Sequence, residues 1–261
     1  MSRDVLKILG FCALVCAICS VFVGSAAVGL KDLQEENKVL DRQKKVLSVA
    51  GLIKEGEKLT ADEVKERFSK NITATVIDLK TGADAPGVDA ATFDQRKVSR
   101  DPATSDAAIP NAAKVMRLPK QAIVYRVAPE SGGSLIIPIE GKGLWSTLFG
   151  FLALEPDLNT VKGITFYEHG ETPGLGGEID NPKWKALWPG RKAFNENFEP
   201  IISVVKGVAG SVEADPTHVD GLSGATITCR GVTGLVQLWL GDQGYGPYIK
   251  RLRGALGGEH G

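Results

Sequence analysis

Between Gln121 and His169 the chain reads QAIVYRV (121–127), SLIIPIE (134–140), LWSTLFGFLAL (144–154) and VKGITFYEH (161–169), four β-rich runs separated by Gly, Pro and Asp. Runs of this kind joined by short, turn-forming gaps predict a twisted, mainly antiparallel sheet, since antiparallel neighbours need only a hairpin between them. Downstream, Thr226 to Leu240 predicts a helix whose Val232, Leu235, Val236 and Trp239 share one face. Pro182 to Trp188 reads as a short helix and Ile201 to Lys206 (IISVVK) as one more strand. Upstream, Thr60 and Glu63 form a capping box for a helix through about Ser69, and Thr73 to Leu79 (TATVIDL) reads as a strand. Strands closed by a helix give an α+β class. Lys80 to Pro119 is rich in Ala, Asp, Pro and Gly with little period, and is expected to be a long surface connection.

At the other end, Ile8 to Leu30 (ILGFCALVCAICSVFVGSAAVGL) carries no charge. As a helix this run reaches roughly 34 Å, enough for a hydrocarbon core of about 30 Å. A cleaved secretory signal is the alternative, but its apolar region is normally only about 7 to 15 residues long. The expectation is a retained single-pass anchor in contact with membrane lipid. Leu33, Leu40 and Leu47 then recur every seventh residue on a charged helix, which predicts a stalk. Lys31, Lys38, Arg42, Lys44 and Lys45 follow the span and only Arg3 and Lys7 precede it, so the local positive-inside count favours a cytoplasmic domain. That rule is weak for a large downstream domain.

Composition removes other classes. The 31 Lys and Arg balance 31 Asp and Glu, so nothing attracts nucleic acid broadly. Cys12, Cys16 and Cys19 share the spacing of a radical-SAM iron–sulfur site, but they lie inside the apolar span with no barrel pattern after it, and read as small residues facing lipid or helix. With Cys229 the one cysteine elsewhere, a disulfide scaffold is excluded. The span also lacks an ionisable residue, so the chain alone is not expected to move an ion.

Three stretches carry candidate chemistry. Asp220 to Thr228 (DGLSGATIT) sets small residues and hydroxyls at a helix entrance, where unpaired N–H groups and the dipole favour a phosphate, with Gly224 and Ala225 permitting close approach. Ordinary capping by Ser223 is the competing explanation. His169 to Glu178 (HGETPGLGGE) lacks the dinucleotide fingerprint and suits either a flat aromatic ligand lying on bare backbone or a tight multi-turn loop. Gly141 to Ser146 (GKGLWS) offers Trp145 for stacking on a planar ligand or for a core. His169 and His218 read as structural, without a second ligand for a metal.

Together SGATIT (223–228), HGETPGLGGEIDNPKWKALWPG (169–190) and GKGLW (141–145) resemble the C subunits of the sodium-translocating NADH:quinone oxidoreductases, a family with a covalent FMN-binding domain. The resemblance runs from the N-terminal span to the closing WLGDQGYGPYI (239–249). It implies an electron-transfer subunit with FMN joined by a phosphoester to Thr226, not Thr228, the attachment being made by a separate flavin transferase. Ser223 is then implied near the phosphate, and Trp145, Glu171, Thr172, Leu175, Gly176 and Lys206 around the flavin, with no catalytic residue and no metal. NADH, quinone and sodium are implied to meet other subunits of the complex. The soluble domain is implied to be periplasmic, on a bacterial inner membrane. The FMN subunit of the related ferredoxin:NAD oxidoreductase complex shares the S-G-A-T motif and is the nearest alternative, and an anchored scaffold without flavin is another. The expected organisation is a cytoplasmic N-terminus (1–7), a span (8–30), a stalk (31–58), the start of the soluble domain with its long loop (59–120), an FMN-binding domain (121–252) and a flexible tail (253–261).

Overall fold

The structure, a computed structural model, describes residues 3–54 and 56–258. The chain divides into two units, residues 1–42 and 43–261. In the first, α1 (Arg3–Gly29) has no buried residue, and with a mean hydropathy of 2.5 over an 18-residue stretch it is the one helix among the described residues long and apolar enough to cross a membrane. It begins before the predicted Ile8, taking in Arg3, Asp4 and Lys7. The second helix, α2 (Lys31–Val49), crosses the boundary between the units and stops short of the predicted stalk end at residue 58. Its far end is the part that packs: Val46, Leu47 and Val49 are buried, while Leu33 and Val39 stay exposed.

The second unit continues with α3 (Ala61–Asn71), whose Thr60 and Glu63 close the expected capping box. It passes directly into β1 (Ile72–Asp78). The next segment, expected to be a plain connection, holds a short helix α4 (Gln95–Arg100) and an antiparallel pair, β2 (Ser105–Ala107) with β3 (Arg117–Pro119). Side chains organise it locally. The Asp94 carboxylate caps α4 by accepting from the N–H groups of Arg96 and Lys97, and Arg117 donates to the Ser105 hydroxyl at 2.8 Å and the Ser105 carbonyl at 2.6 Å. No hydrophobic period announces such bonds, which is why composition alone suggests a loop.

Four longer strands follow where the β-rich runs predict them: β4 (Gln121–Val127), β5 (Leu135–Lys142), β6 (Thr147–Leu154) and β7 (Val161–Glu168). With β1 they form one five-stranded antiparallel sheet in the order β1-β4-β5-β6-β7. Ile137 and Ile139 turn one face into the main core. Arg96 lies 3.3 Å above the Phe149 ring on the other face.

Beyond the sheet, the short helix α5 (Pro182–Lys185) ends earlier than Trp188, although Trp184 and Trp188 are both buried. The predicted strand Ile201 to Lys206 contracts to β8 (Ser203–Val204), paired in parallel with β9 (His218–Val219). The excursion between them is folded by Arg191, itself only 2% exposed, whose guanidinium donates to the carbonyls of Gly210, Ser211 and Asp215. Helix α6 spans Thr226–Leu240 as expected, with Val232, Leu235, Val236 and Trp239 fully buried. The Trp239 indole N–H donates to the Glu140 carbonyl at 2.7 Å, tying α6 to β5. Last comes α7 (Gly246–Gly258), which corrects the expected tail at 253–258, while residues 259–261 lie outside the described residues. Tyr248 and Ile249 are buried, and this docking holds the helix where its flanking glycines disfavour one.

Candidate functional site

The N-terminus of α6 is built by the turn before it. Gly224 has φ +72°, a conformation only glycine adopts at little cost, and a Cβ there would come within 2.9 Å of Leu175 Cδ2. This left-handed step moves the cap from Ser223 to Ala225, which has no side chain to offer the helix amides. Capping by Ser223 is therefore set aside: its side chain is exposed and bonds no helix N–H. The first turn keeps unpaired donors beside an exposed Thr226, an arrangement that favours a bound anion.

Helix geometry separates the two threonines of the motif. Residues two apart lie about 200° apart around the axis, so one hydroxyl faces out when the other faces in. Thr226 is exposed. Thr228 is 1% exposed and donates to Glu171 Oε2 at 2.6 Å.

Glu171 is the hub of the site. Its Oε1 accepts the N–H groups of Trp145 at 2.9 Å and Ser146 at 3.2 Å, while Oε2 accepts the Leu144 N–H at 3.1 Å and the Thr228 hydroxyl. At 5% exposure it clamps the 143–146 turn, its own loop and α6 together from behind. Burial pushes its pKa up, but the Thr228 hydroxyl and the three backbone donors outweigh that and hold it below the ordinary carboxylate value. Gly176, buried beside it, leaves no room for a side chain: a Cβ would lie 2.6 Å from Thr228 Oγ1 and 2.8 Å from Glu171 Oε2.

In front of this clamp the surface is apolar and open. Trp145 is 68% exposed, which removes the alternative of a core tryptophan, and Leu175 and Ile227 are also exposed. Thr172 is exposed on the same loop, its carbonyl accepting the Leu175 and Gly177 N–H groups. Beside Thr226 opens a cleft of ≈ 520 Å³ lined in part by Lys206, Val208, Asp220, Ser223 and Arg230. Such a volume suits a small-molecule ligand. The β8–β9 pairing places Lys206 there, at a bend beyond the strand, and the Gly221 N–H donates to the Gly207 carbonyl at 2.8 Å to fix the wall. The Asp220 carboxylate accepts the Ala209 N–H at 2.8 Å. Cys229 is buried, and burial raises its thiol pKa, so it is an unreactive wall residue.

Sequence reasoning missed Arg230. The signal was its position four residues after Thr226, which puts both on one helical face. His169 is spent within its loop, pairing with Asp180 at 2.8 Å and accepting the Glu171 N–H, and His218 pairs with Asp215.

Comparison with known proteins bears on this arrangement. The profile of the family described as FMN-binding domain matches residues 143–241, which holds every residue assigned to the site above. The chain is 46% identical over 243 residues to the C subunit of the Na(+)-translocating NADH-quinone reductase of Pseudomonas aeruginosa, covering 92% of each protein. It is 46% identical over 254 residues to the corresponding subunit from Vibrio campbellii, covering 95% of each. Among solved structures, NqrC of Shewanella oneidensis matches with a TM-score of 0.76 at 34% identity, over 85% of this chain and 99% of that one.

Proposed function

The chain belongs to the family of Na(+)-translocating NADH-quinone reductase C subunits, and we propose accordingly that it relays electrons through FMN joined by a phosphoester to Thr226 Oγ1. The observation that carries this reading is an exposed hydroxyl on the first residue of an uncapped helix, at the mouth of a cleft with two cationic side chains. A phosphate ester on Thr226 lies where α6 offers free N–H groups, with Ser223, Gly224 and Ala225 next to it and Lys206 and Arg230 supplying positive charge. Trp145, Thr172 and Leu175 offer the surface for the ring system. Glu171 and Gly176 stand behind that surface and fix it. Bound FMN supplies the redox chemistry, accepting and releasing electrons; this chain binds, orients and electrostatically tunes it.

In this reading NADH, quinone and sodium are handled by other subunits, a flavin transferase makes the ester, and α1 anchors the chain in the bacterial inner membrane among lipid. If the reading holds, full-length chain purified from cells that also express the transferase stays yellow and fluorescent after denaturation, and its intact mass includes FMN. A colourless denatured chain of unmodified mass overturns the relay in favour of a scaffold.

We also place the domain after α1 in the periplasm, with residues 1–7 in the cytoplasm. A long exported domain carries the basic residues that follow the span across with it, whatever their local count. A reporter that folds only outside the inner membrane, fused after Gly261, is then active, and a cytoplasm-only reporter at the same point is silent. The opposite pattern overturns the placement.

A further inference from the structure

A second charged cavity shares no lining residue with the Thr226 cleft and is built in part by the segment that reads as a plain connection in sequence. It has a volume of ≈ 390 Å³, and its lining includes Arg100, Lys114, Met116, Arg117, Glu140 and Lys142. Among the described residues none of these four cations forms an ion pair with a carboxylate. In a chain of formal net charge zero, that is a local excess of positive charge which the one acid in the lining, Glu140, only partly offsets.

The walls are held in place. The Arg117 guanidinium is fixed on Ser105, and the Lys142 ammonium donates to the Trp145 carbonyl at 3.2 Å. The Lys142 N–H donates to the Ala113 carbonyl at 2.7 Å, pinning the 111–115 loop to β5, and the Asn111 carboxamide closes that loop through Val115. Lys114 sits at the loop's apex with φ +52°, a left-handed conformation that costs a side-chain-bearing residue energy and that glycine adopts freely. A lysine held there lines the cavity at the expense of local strain. The one acid, Glu140, has no hydrogen-bond partner for its carboxylate among the described residues, and burial raises its pKa against the opposing pull of Arg96 and Arg100. The cavity thus combines four cationic side chains with a single carboxyl.

We propose that this cavity is a binding site for a phosphate-type oxyanion, held by Arg100, Lys114, Arg117 and Lys142. Guanidinium groups and ammonium groups together suit a tetrahedral anion with several acceptor oxygens. The shared chemistry is that of free phosphate and of an anionic lipid headgroup, and the two sources are separated by the probe.

The experiment titrates the full-length chain in detergent with inorganic phosphate, and separately with short-chain soluble phosphatidylglycerol against phosphatidylcholine, using calorimetry at low salt. Saturable binding of phosphate, or of phosphatidylglycerol but not phosphatidylcholine, is expected. It weakens at least about tenfold in the Arg100→Ala, Lys114→Gly double variant, because two charge-assisted hydrogen bonds are lost. Both positions are exposed, and glycine relieves the strain at 114, so the double variant is expected to fold, which a melting temperature no lower than that of the wild type checks. Glu140→Gln removes the opposing charge and tightens the binding. The titrations are paired with the same ones in a Lys206→Ala, Arg230→Ala background, where binding at this cavity persists and still falls in the double variant, which separates it from any anion held at the Thr226 cleft. Absence of saturable binding, binding that survives the double variant, or binding lost with Lys206 and Arg230 overturns the proposal.

Discussion

Thr226→Ala is expected to leave the chain with no covalent flavin at all, while Thr228→Val keeps it. Alanine has no hydroxyl to esterify, and no nearby group replaces the loss: Thr228 is buried, and its hydroxyl is already committed to Glu171. Ser223 is exposed but precedes the left-handed step at Gly224, off the helix whose free amides favour a phosphate. Thr226→Ser, which retains the hydroxyl on the same helical face, is expected to restore modification. Thr228→Val leaves Glu171 Oε2 short of a donor and should lower stability by about 1–3 kcal/mol without removing the flavin. Intact mass spectrometry after coexpression with the transferase checks all three variants. Flavin mass on the Thr226→Ala chain, or its absence from Thr228→Val chain that is shown to be folded, would sink the assignment.

Legibility in the sequence followed the physical signal available at each place. The four β-rich runs became β4 to β7 because side-chain shape and turn residues act locally, and α6 kept its predicted bounds because its buried face repeats with the helical period. Segments held by single side chains were opaque. Nothing in the pattern of residues 80–119 shows that Arg117 will bond Ser105, or that Asn111 will close a loop under β5. Likewise IISVVK has strand composition along its length, yet its partner is the two-residue β9, so the pairing sets the strand's length. For α7, the tail reading fails because the glycines around it disfavour a helix locally while burial of Tyr248 and Ile249 decides the outcome.

The site divides along the same line. A hydroxyl at a helix entrance is visible in sequence, as the motif at Ser223 to Thr226 shows. The family resemblance names Glu171 among residues around the flavin, but only the fold places it behind the surface, with its carboxylate consumed by four donors. Arg230 needed only the helical period to be found, and was missed because the motif ends before it.

Glu171 carries the second large effect. Removing its carboxylate takes the acceptor from the part-buried N–H groups of Leu144, Trp145 and Ser146 and from the buried Thr228 hydroxyl. An orphaned buried donor costs about 1–3 kcal/mol, and water and turn relaxation recover part of that at the three part-buried amides, so Glu171→Ala should lose about 3–5 kcal/mol. For a domain of this size that is a fall in melting temperature of roughly 6–20 °C. The isosteric Glu171→Gln keeps one acceptor oxygen and loses less. The two variants should also free the Trp145 turn and slow flavin loading, although neither touches the Thr226 hydroxyl. Acid dependence gives an independent reading. The folded pKa of Glu171 is held below its ordinary value of 4.5, so its contribution is fully present above that value and is lost as pH falls through the folded pKa. The stability gap between wild type and Glu171→Gln should therefore be constant near neutrality and shrink only once the pH drops below the ordinary carboxylate value. A gap that is absent at neutral pH, or one that widens in acid, would mean that the carboxylate clamp does not hold the site together.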